Sequence, residues 1–459
     1  MDVRIEFDRG TLLLRTEAPR ASLRDLPGVL WDPRVECLRA PAWRYADLVA
    51  ELGRRGGGID DRAAPTERAR AGDWRPIDLR PYQQAALCAW ELAGRRGVVA
   101  LPTGSGKTRL ALAAMATLGL SALCLVPTRV LMHQWRVVIA GFYAGRVACW
   151  GDRERQCAPI TVMTFESAYR RMAELGRRWE LLVVDEAHHF GAGMRDEALE
   201  MSVAPFRLGL SATPPASGIP AADRLVELVG PTVYELRVAD LAGSYLAPFD
   251  LIELRLPLDA AERRRYEQEM SAFRAVFGPF RRFCPRASWH DFLRAAARTE
   301  DGRRAVAAWR RARSMLALTR AKRAAVGQLL AGHRQGRVLI FTADNDAAYA
   351  IAREQLIMPL TCDIGRAERE HVLARLRSGE LRALVSARVL NEGIDLPDAD
   401  VAIVVGGSLG EREHVQRIGR LLRPGPGKRA VVYELVAAGT SEQRQAERRR
   451  RGLAPAIAA

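Results

Sequence analysis

The sequence predicts an α/β chain with two doubly wound parallel sheets in tandem, a small N-terminal α+β domain ahead of them and a helical insert between them. Three observations carry that prediction. Apolar runs (VVAL, ALCLV, ITVMTF, LLVVD) alternate with helical spacing between about residues 74 and 240, as strands buried on both faces of a parallel sheet do. Strand patterns vanish between 258 and 330, where the chain turns Arg-rich and helical, and return from Gly336 in RVLIFT, RALVSA, VAIVV and AVVYELV. A Gly-rich turn, LPTGSGKT, lies between a strand-like and a helical stretch.

In chain order, residues 1–72 form an N-terminal domain and linker. VRIEF and TLLLR read as strands, Tyr45 to Leu52 as a helix, and RRGGGIDDRAAP as a polar linker. The first α/β domain is expected over 73–240, the helical insert over 241–333 and the second α/β domain over 334–445. In the insert, Tyr266, Phe273, Phe277, Phe280, Trp289, Phe292 and Trp309 are interleaved with arginines, so the aromatics either form a core or offer stacking surfaces. The tail, 446–459, is basic and expected to be disordered.

The chain carries a net charge of +16 over 459 residues, which suits a polyanionic partner. Seven cysteines without a CxxC pair imply reduced, buried thiols and neither a zinc site nor a disulfide framework. The N-terminus MDVRIEFDRG is charged and strand-like, and no run of 18 apolar residues exists, so a cytoplasmic location without membrane insertion is expected.

The turn is built for phosphates. Thr103, Gly104, Ser105 and Gly106 let backbone N–H groups converge on an anion at a helix N-terminus, Lys107 reaches the phosphates and Thr108 can ligate magnesium. The strict pattern has a further glycine where this chain has Leu101. Only Lys107, Lys322 and Lys428 are lysines among 70 basic residues, so an arginine-using sequence keeps the compact ammonium at the phosphate site. Further on, LLVVDEAHHF ends a strand in two carboxylates. Asp185 is thereby suited to the magnesium shell and Glu186 to polarising the attacking water.

DEAH, GLSATP (209–214) and QRIGRLLRP (416–424) together resemble the superfamily 2 helicases. LRPYQQAAL, LVPTRVLMHQW, VLNEGIDLPDADVAIVV and EREHVQRIGRLLRPGPGKRAVVYELVAAGT resemble the xeroderma pigmentosum group B (XPB) family in its archaeal and bacterial form, over residues 75–445. The resemblance implies two RecA-like domains, a thumb-like insert, ATP with magnesium as fuel, and 3′ to 5′ movement on DNA in repair. It implies that Arg80 and Gln83 recognise adenine, that Gly393 and Asp395 sense nucleotide, and that Gln416, Arg420 and Arg423 act on the transferring phosphoryl group. His188, Ser211 and Thr213 would couple hydrolysis to motion, with His188 reaching toward Gln416. Pro127, Thr128, Arg129 and Thr164 would hold a strand through its backbone, without sequence preference. The implied working form is a monomer on DNA, with a nuclease partner by analogy with archaeal relatives.

One departure stands out: SATPPASGIPAADRL lacks the Arg-Glu-Asp triplet that the family carries after this motif. Two alternatives therefore stay open beside a helicase: a translocase or nuclease motor that does not separate strands, and an ATP-switched clamp on nucleic acid. Glu186 with Arg420 and Arg423 argues against the clamp, which needs no hydrolytic machinery.

Overall fold

The structure is a computed structural model describing residues 2–17, 20–56, 58–70, 73–151, 154–213, 218, 220–241, 245, 249–387, 399–406 and 430–450. The chain divides into two compact units, one spanning Met1–Arg237 and the other taking up the chain from Val238.

The first unit opens with β1 (Val3–Asp8), β2 (Thr11–Thr16), β3 (Leu30–Asp32), β4 (Cys37–Pro41), α1 (Tyr45–Arg54) and β5 (Ile59–Asp61). They build a sheet of order β3-β4-β2-β1-β5, antiparallel except for the parallel β1–β5 edge. Alternation in β1 sends Val3 and Ile5 into the core with Leu12, Leu14 and Leu48, beneath α1. The stretch expected to be a polar linker thus contains a strand. Its three residues carry no apolar period; they are held by backbone pairing and by Arg4 on Asp60 at 2.7 Å.

A second sheet follows in the same unit, built from α2 (Pro81–Leu92), β6 (Arg96–Ala100), α3 (Lys107–Leu118), β7 (Ala122–Val126), α4 (Arg129–Phe142), β8 (Val147–Gly151), β9 (Glu154–Arg155), β10 (Ile160–Thr164), α5 (Phe165–Leu175), β11 (Leu181–Val184), α6 (Glu197–Glu200), β12 (Phe206–Ser211), α7 (Pro220–Leu228) and β13 (Thr232–Glu235). Strand order is β13-β6-β12-β11-β7-β10-β8-β9, parallel throughout except for the β8–β9 hairpin edge. Every residue of β7, β10 and β11 is buried, because helices cover both faces of the sheet. The small sheet packs directly on this one. Val203 joins its core, Trp43 joins the core of the large sheet, and the Arg44 and Arg224 guanidinium carbons lie 3.8 and 5.8 Å from the Trp43 ring centroid.

The second unit contains α8 (Val238–Leu241), β14 (Phe249–Leu256), α9 (Ala260–Phe283), α10 (Trp289–Ala297), α11 (Glu300–Ala317), α12 (Arg320–Gly332), β15 (Val338–Phe341), α13 (Asn345–Gln355), β16 (Met358–Leu360), α14 (Arg366–Ser378), β17 (Ala383–Ser386), β18 (Val401–Val404), β19 (Ala430–Ala437) and a closing helix, Ser441–Arg450. Its sheet is wholly parallel, in the order β14-β19-β18-β15-β17-β16. Phe249–Leu256 lies within the range read as insert, yet forms an edge strand of this sheet. Half-exposed on the edge, FDLIELRL lacks the continuous apolar run by which inner strands announce themselves.

The insert's aromatics make their own core. Phe273, Phe277, Phe292, Trp289 and Trp309 meet in stacked, tilted and edge-to-face pairs, over Tyr266 and Met270. Phe283, at the end of α9, remains 86 % exposed. The tail helix runs to Arg450, past residue 446 where disorder is expected. Its start is anchored by Lys322 Nζ, fully buried, on both Glu442 oxygens at 2.9 and 2.8 Å.

Cys37, Cys124 and Cys149 are buried, whereas Cys88, Cys284 and Cys362 are exposed, which corrects the expectation of uniformly buried thiols. Burial pushes the Cys149 thiol up to about 11. No described helix is long and apolar enough to cross a membrane.

Candidate functional site

Parallel strands deliver their loops to one edge, and the first unit's candidate residues beyond α2 line that edge in strand order. The phosphate loop leaves β6, Ser211 ends β12, Asp185 follows β11, Pro127 to Arg129 follow β7 and Thr164 ends β10. Ligands of open parallel sheets bind at such carboxyl ends.

The phosphate loop needs its glycines. Gly104 and Gly106 have φ of +85° and +80°, and a Cβ on Gly106 would lie 2.5 Å from Gln83 Nε2. Lys107, the first residue of α3, folds its Nζ over the loop to the carbonyls of Leu101 and Pro102 at 3.0 and 3.3 Å. Ser105 Oγ donates to Pro102 O at 2.7 Å. Thr108 sits one position into α3.

Below the loop, α2 braces it. Gln83, 2 % exposed, donates from Nε2 to Ser105 O at 2.7 Å and accepts the Arg80 N–H at 2.9 Å. Tyr82 Oη donates to the same Ser105 carbonyl at 2.7 Å. Gln83 therefore grips the phosphate loop itself, and its amide also lies 3.3 Å from Gly106 O.

Asp185 is buried at the end of β11. Its carboxylate accepts the Trp135 indole N–H at 3.0 Å and the Glu186 N–H at 3.0 Å. Burial raises the carboxyl above its ordinary value, while the Lys107 charge and these two bonds act the other way. Glu186 takes a left-handed backbone, φ +49°, which a non-glycine residue adopts at a cost of roughly 1–3 kcal/mol, and which turns its side chain off the strand line.

From Glu186 a polar chain leads to β12. His188 Nδ1 lies 3.5 Å from Glu186 Oε2 and 3.3 Å from Ser211 Oγ, and Ser211 Oγ donates to Thr213 O at 2.6 Å. His188 is thus joined to Ser211 and Glu186. Its neighbour His189 packs against Phe165 and His188, with ring centroids 5.9 and 4.5 Å away.

Two helix N-termini stand side by side beyond Asp185. Thr128 caps α4 by accepting Leu131 N–H at 3.3 Å, and Thr164 caps α5 by accepting Ser167 N–H at 3.3 Å. Their strands are neighbours, with Thr164 in register with Val126. Each terminus carries a partial positive charge, and Arg129 opens α4.

These residues fit a magnesium nucleotide. The Thr103 hydroxyl is buried with no hydrogen-bond partner among the described residues, and Lys107 and Asp185 bring opposite charges close enough to act on each other. Gly393, Asp395, Gln416, Arg420 and Arg423 lie outside the described residues. Sequence reasoning overlooked Tyr82 and Trp135. The signal for Trp135 was present in its spacing with Met132 and Ile139, which marks the buried face of α4.

Known proteins match over most of the chain. A model of the Type III restriction enzyme res subunit matches residues 76–216, and one of the helicase conserved C-terminal domain matches 321–425, a range that contains Gln416, Arg420 and Arg423. The Xeroderma pigmentosum group B helicase damage recognition domain matches residues 5–63. A "DNA 3'-5' translocase XPB2" of Sulfurisphaera tokodaii is 33 % identical over 92 % of this chain and 96 % of its own. The chain belongs to the XPB family.

Another XPB relative, a "DNA 3'-5' helicase XPB" of Mycobacterium tuberculosis, is 30 % identical over 87 % of this chain and 67 % of its own. Among solved structures, the Pyrococcus furiosus Hef helicase domain aligns with TM-score 0.54 at 17 % identity, over 80 % of this chain and 97 % of its own. That likeness shows the fold: two RecA-like domains in tandem. The XPB damage-recognition match ends at residue 63, just past β5, so that strand belongs to the N-terminal domain on sequence grounds as well.

Proposed function

We propose that the chain is an ATP-driven motor that moves 3′ to 5′ along DNA and separates its strands, in the service of DNA repair. The observation that carries this reading is the order along one sheet edge: phosphate loop, coupling hydroxyl, carboxylate pair and two capped helix N-termini on consecutive strands β6, β12, β11, β7 and β10.

Each residue has a task in this reading. Thr103, Gly104, Ser105, Gly106 and Lys107 hold the phosphates, and Arg80 and Gln83 flank the loop on the side where adenine would lie. Thr108 and Asp185 would hold magnesium, which neutralises phosphate charge when bound. Glu186, turned away from the strand by its left-handed backbone, orients the attacking water. Through His188 a change at Glu186 reaches Ser211 and Thr213, so hydrolysis is felt one strand away. Pro127, Thr128, Arg129 and Thr164 grip the strand's phosphates and sugars.

A second reading, translocation without strand separation, is favoured by the missing Arg-Glu-Asp triplet and by the printed name of the Sulfurisphaera relative. The monomer is taken as the working unit. An associated nuclease is proposed by analogy alone.

Duplexes with a single 3′ or 5′ tail test the reading. ATP-dependent displacement from the 3′-tailed duplex, abolished in Glu186→Gln, is the expected result. Displacement from the 5′-tailed duplex only would contradict the polarity. Removal of a triplex-forming strand without duplex separation would select the second reading.

A further inference from the structure

We infer that Trp135 is a positioning residue through which the candidate strand grip acts on the metal-holding carboxylate. The inference rests on the functional reading above, for it takes Asp185 as a magnesium ligand and the start of α4 as a strand contact.

Helix α4 has two ends of use. Its first residue is Arg129, next to the cap Thr128, and six residues on, Trp135 projects from the buried face between Met132 and Ile139. At about 1.5 Å rise per residue, that is roughly 9 Å along one rigid rod. Trp135 is 2 % exposed, and its indole N–H meets Asp185 Oδ2 at 3.0 Å across a sequence gap of 50 residues. Among the described residues the carboxylate takes two hydrogen bonds, and the other comes from the adjoining Glu186 backbone. Trp135 is therefore its only side-chain donor, and it belongs to the helix whose far end faces the strand.

The chemistry follows from burial. A buried carboxylate needs partners, and hydrogen bonds to a carboxylate that ligates a metal fix its orientation and tune the metal. Such bonds weaken steeply as the N–H axis swings away from the acceptor. A load on the N-terminus of α4 moves the helix as a body and with it the indole, which turns strand contact into a change of carboxylate aim. An apolar side chain of similar size would fill the same space without that link.

Trp135→Phe tests this in the full chain, since it keeps an aromatic ring and removes the donor. Ile139→Val is the control, because it thins the same buried face one turn on and leaves the bond intact. Three quantities are read: thermal melting, the magnesium concentration that half-saturates binding of a fluorescent ATP analogue that does not turn over, and the ratio of DNA-stimulated to basal ATP hydrolysis. In Trp135→Phe the magnesium requirement is expected to rise about tenfold, as loss of an outer-shell partner does. The stimulation ratio is expected to fall at least threefold, with melting still cooperative and DNA affinity without nucleotide kept within twofold. An unchanged magnesium requirement and ratio, or the same changes in Ile139→Val, would overturn the role of Trp135. Wild-type hydrolysis indifferent to DNA, or an Asp185→Asn variant with a normal magnesium requirement, would overturn the functional reading and this inference with it.

Discussion

Replacing Gly106 by alanine attacks the phosphate loop where its geometry is most constrained. The residue's φ of +80° costs an L side chain about 1–2 kcal/mol. The new Cβ would also lie 2.5 Å from Gln83 Nε2, whose amide is held to Ser105 O at 2.7 Å and Gly106 O at 3.3 Å. Gln83 cannot swing aside freely, because its Oε1 is tied to the Arg80 N–H. Breaking its two amide contacts adds roughly 0.5–1.5 kcal/mol for each, so the phosphate-ready loop rises by about 2–5 kcal/mol. A loop that escapes into another conformation binds nucleotide in proportion to the fraction still competent. Affinity should therefore fall by about 30-fold to several-thousand-fold. The assay is titration with a fluorescent ATP analogue, with circular dichroism to confirm the fold. Gly141→Ala in α4, where an added Cβ meets nothing within 4 Å, should leave affinity unchanged. A Gly106→Ala protein that binds within threefold of wild type would refute the claim that this loop conformation holds the phosphates.

Two further predictions concern stability. Arg207 is fully buried at the start of β12, where burial pushes its guanidinium well below its ordinary value and it donates to the carbonyls of Leu199, Ser202, Ala204 and Leu228. Arg207→Met leaves four acceptors short of a partner and should cost about 3–5 kcal/mol in the first urea transition; a loss below about 1 kcal/mol would contradict the role. At the head of α10, hydrogen bonds from the Ser288 hydroxyl and backbone N–H, aided by Arg294, hold the Asp291 carboxyl down at about 2. Because this folded value lies below the unfolded one near 3.9, the cap contributes fully above about pH 4 and is lost as pH falls through about 2. Ser288→Ala should move the Asp291 titration upward, as followed by carboxyl NMR.

What the sequence discloses follows from burial. Strands β7, β10, β11, β15 and β18 are covered on both faces, so their apolar runs are continuous and legible. Edge elements are not: β14 is half-exposed along its length, and β5 is one isoleucine followed by two aspartates, too short to show a period and held by a backbone partner in β1. The insert's aromatic-and-arginine spacing fits a stacking surface and a core equally well in sequence, and only packing shows Phe273 and its neighbours enclosing one another. In the site, local motifs named the phosphate loop, Asp185 and Glu186 in advance because their chemistry is carried by adjacent residues. Contacts made across the fold were invisible. The bond from Trp135 to Asp185 and the grip of Tyr82 and Gln83 on Ser105 O join residues 50, 23 and 22 positions apart, and no short spacing encodes them. Sequence pointed His188 at Gln416, which lies outside the described residues, and the described geometry joins it to Ser211 and Glu186.

The central claim is that nucleotide hydrolysis at the β6 loop is driven by DNA. Steady-state ATP hydrolysis by the wild type and Lys107→Ala, without nucleic acid and with single-stranded DNA, duplex DNA and RNA in turn, tests it most directly. The account predicts hydrolysis that DNA stimulates and that Lys107→Ala abolishes, with RNA the weaker activator. Equal rates with and without DNA, or undiminished hydrolysis by Lys107→Ala, would contradict it.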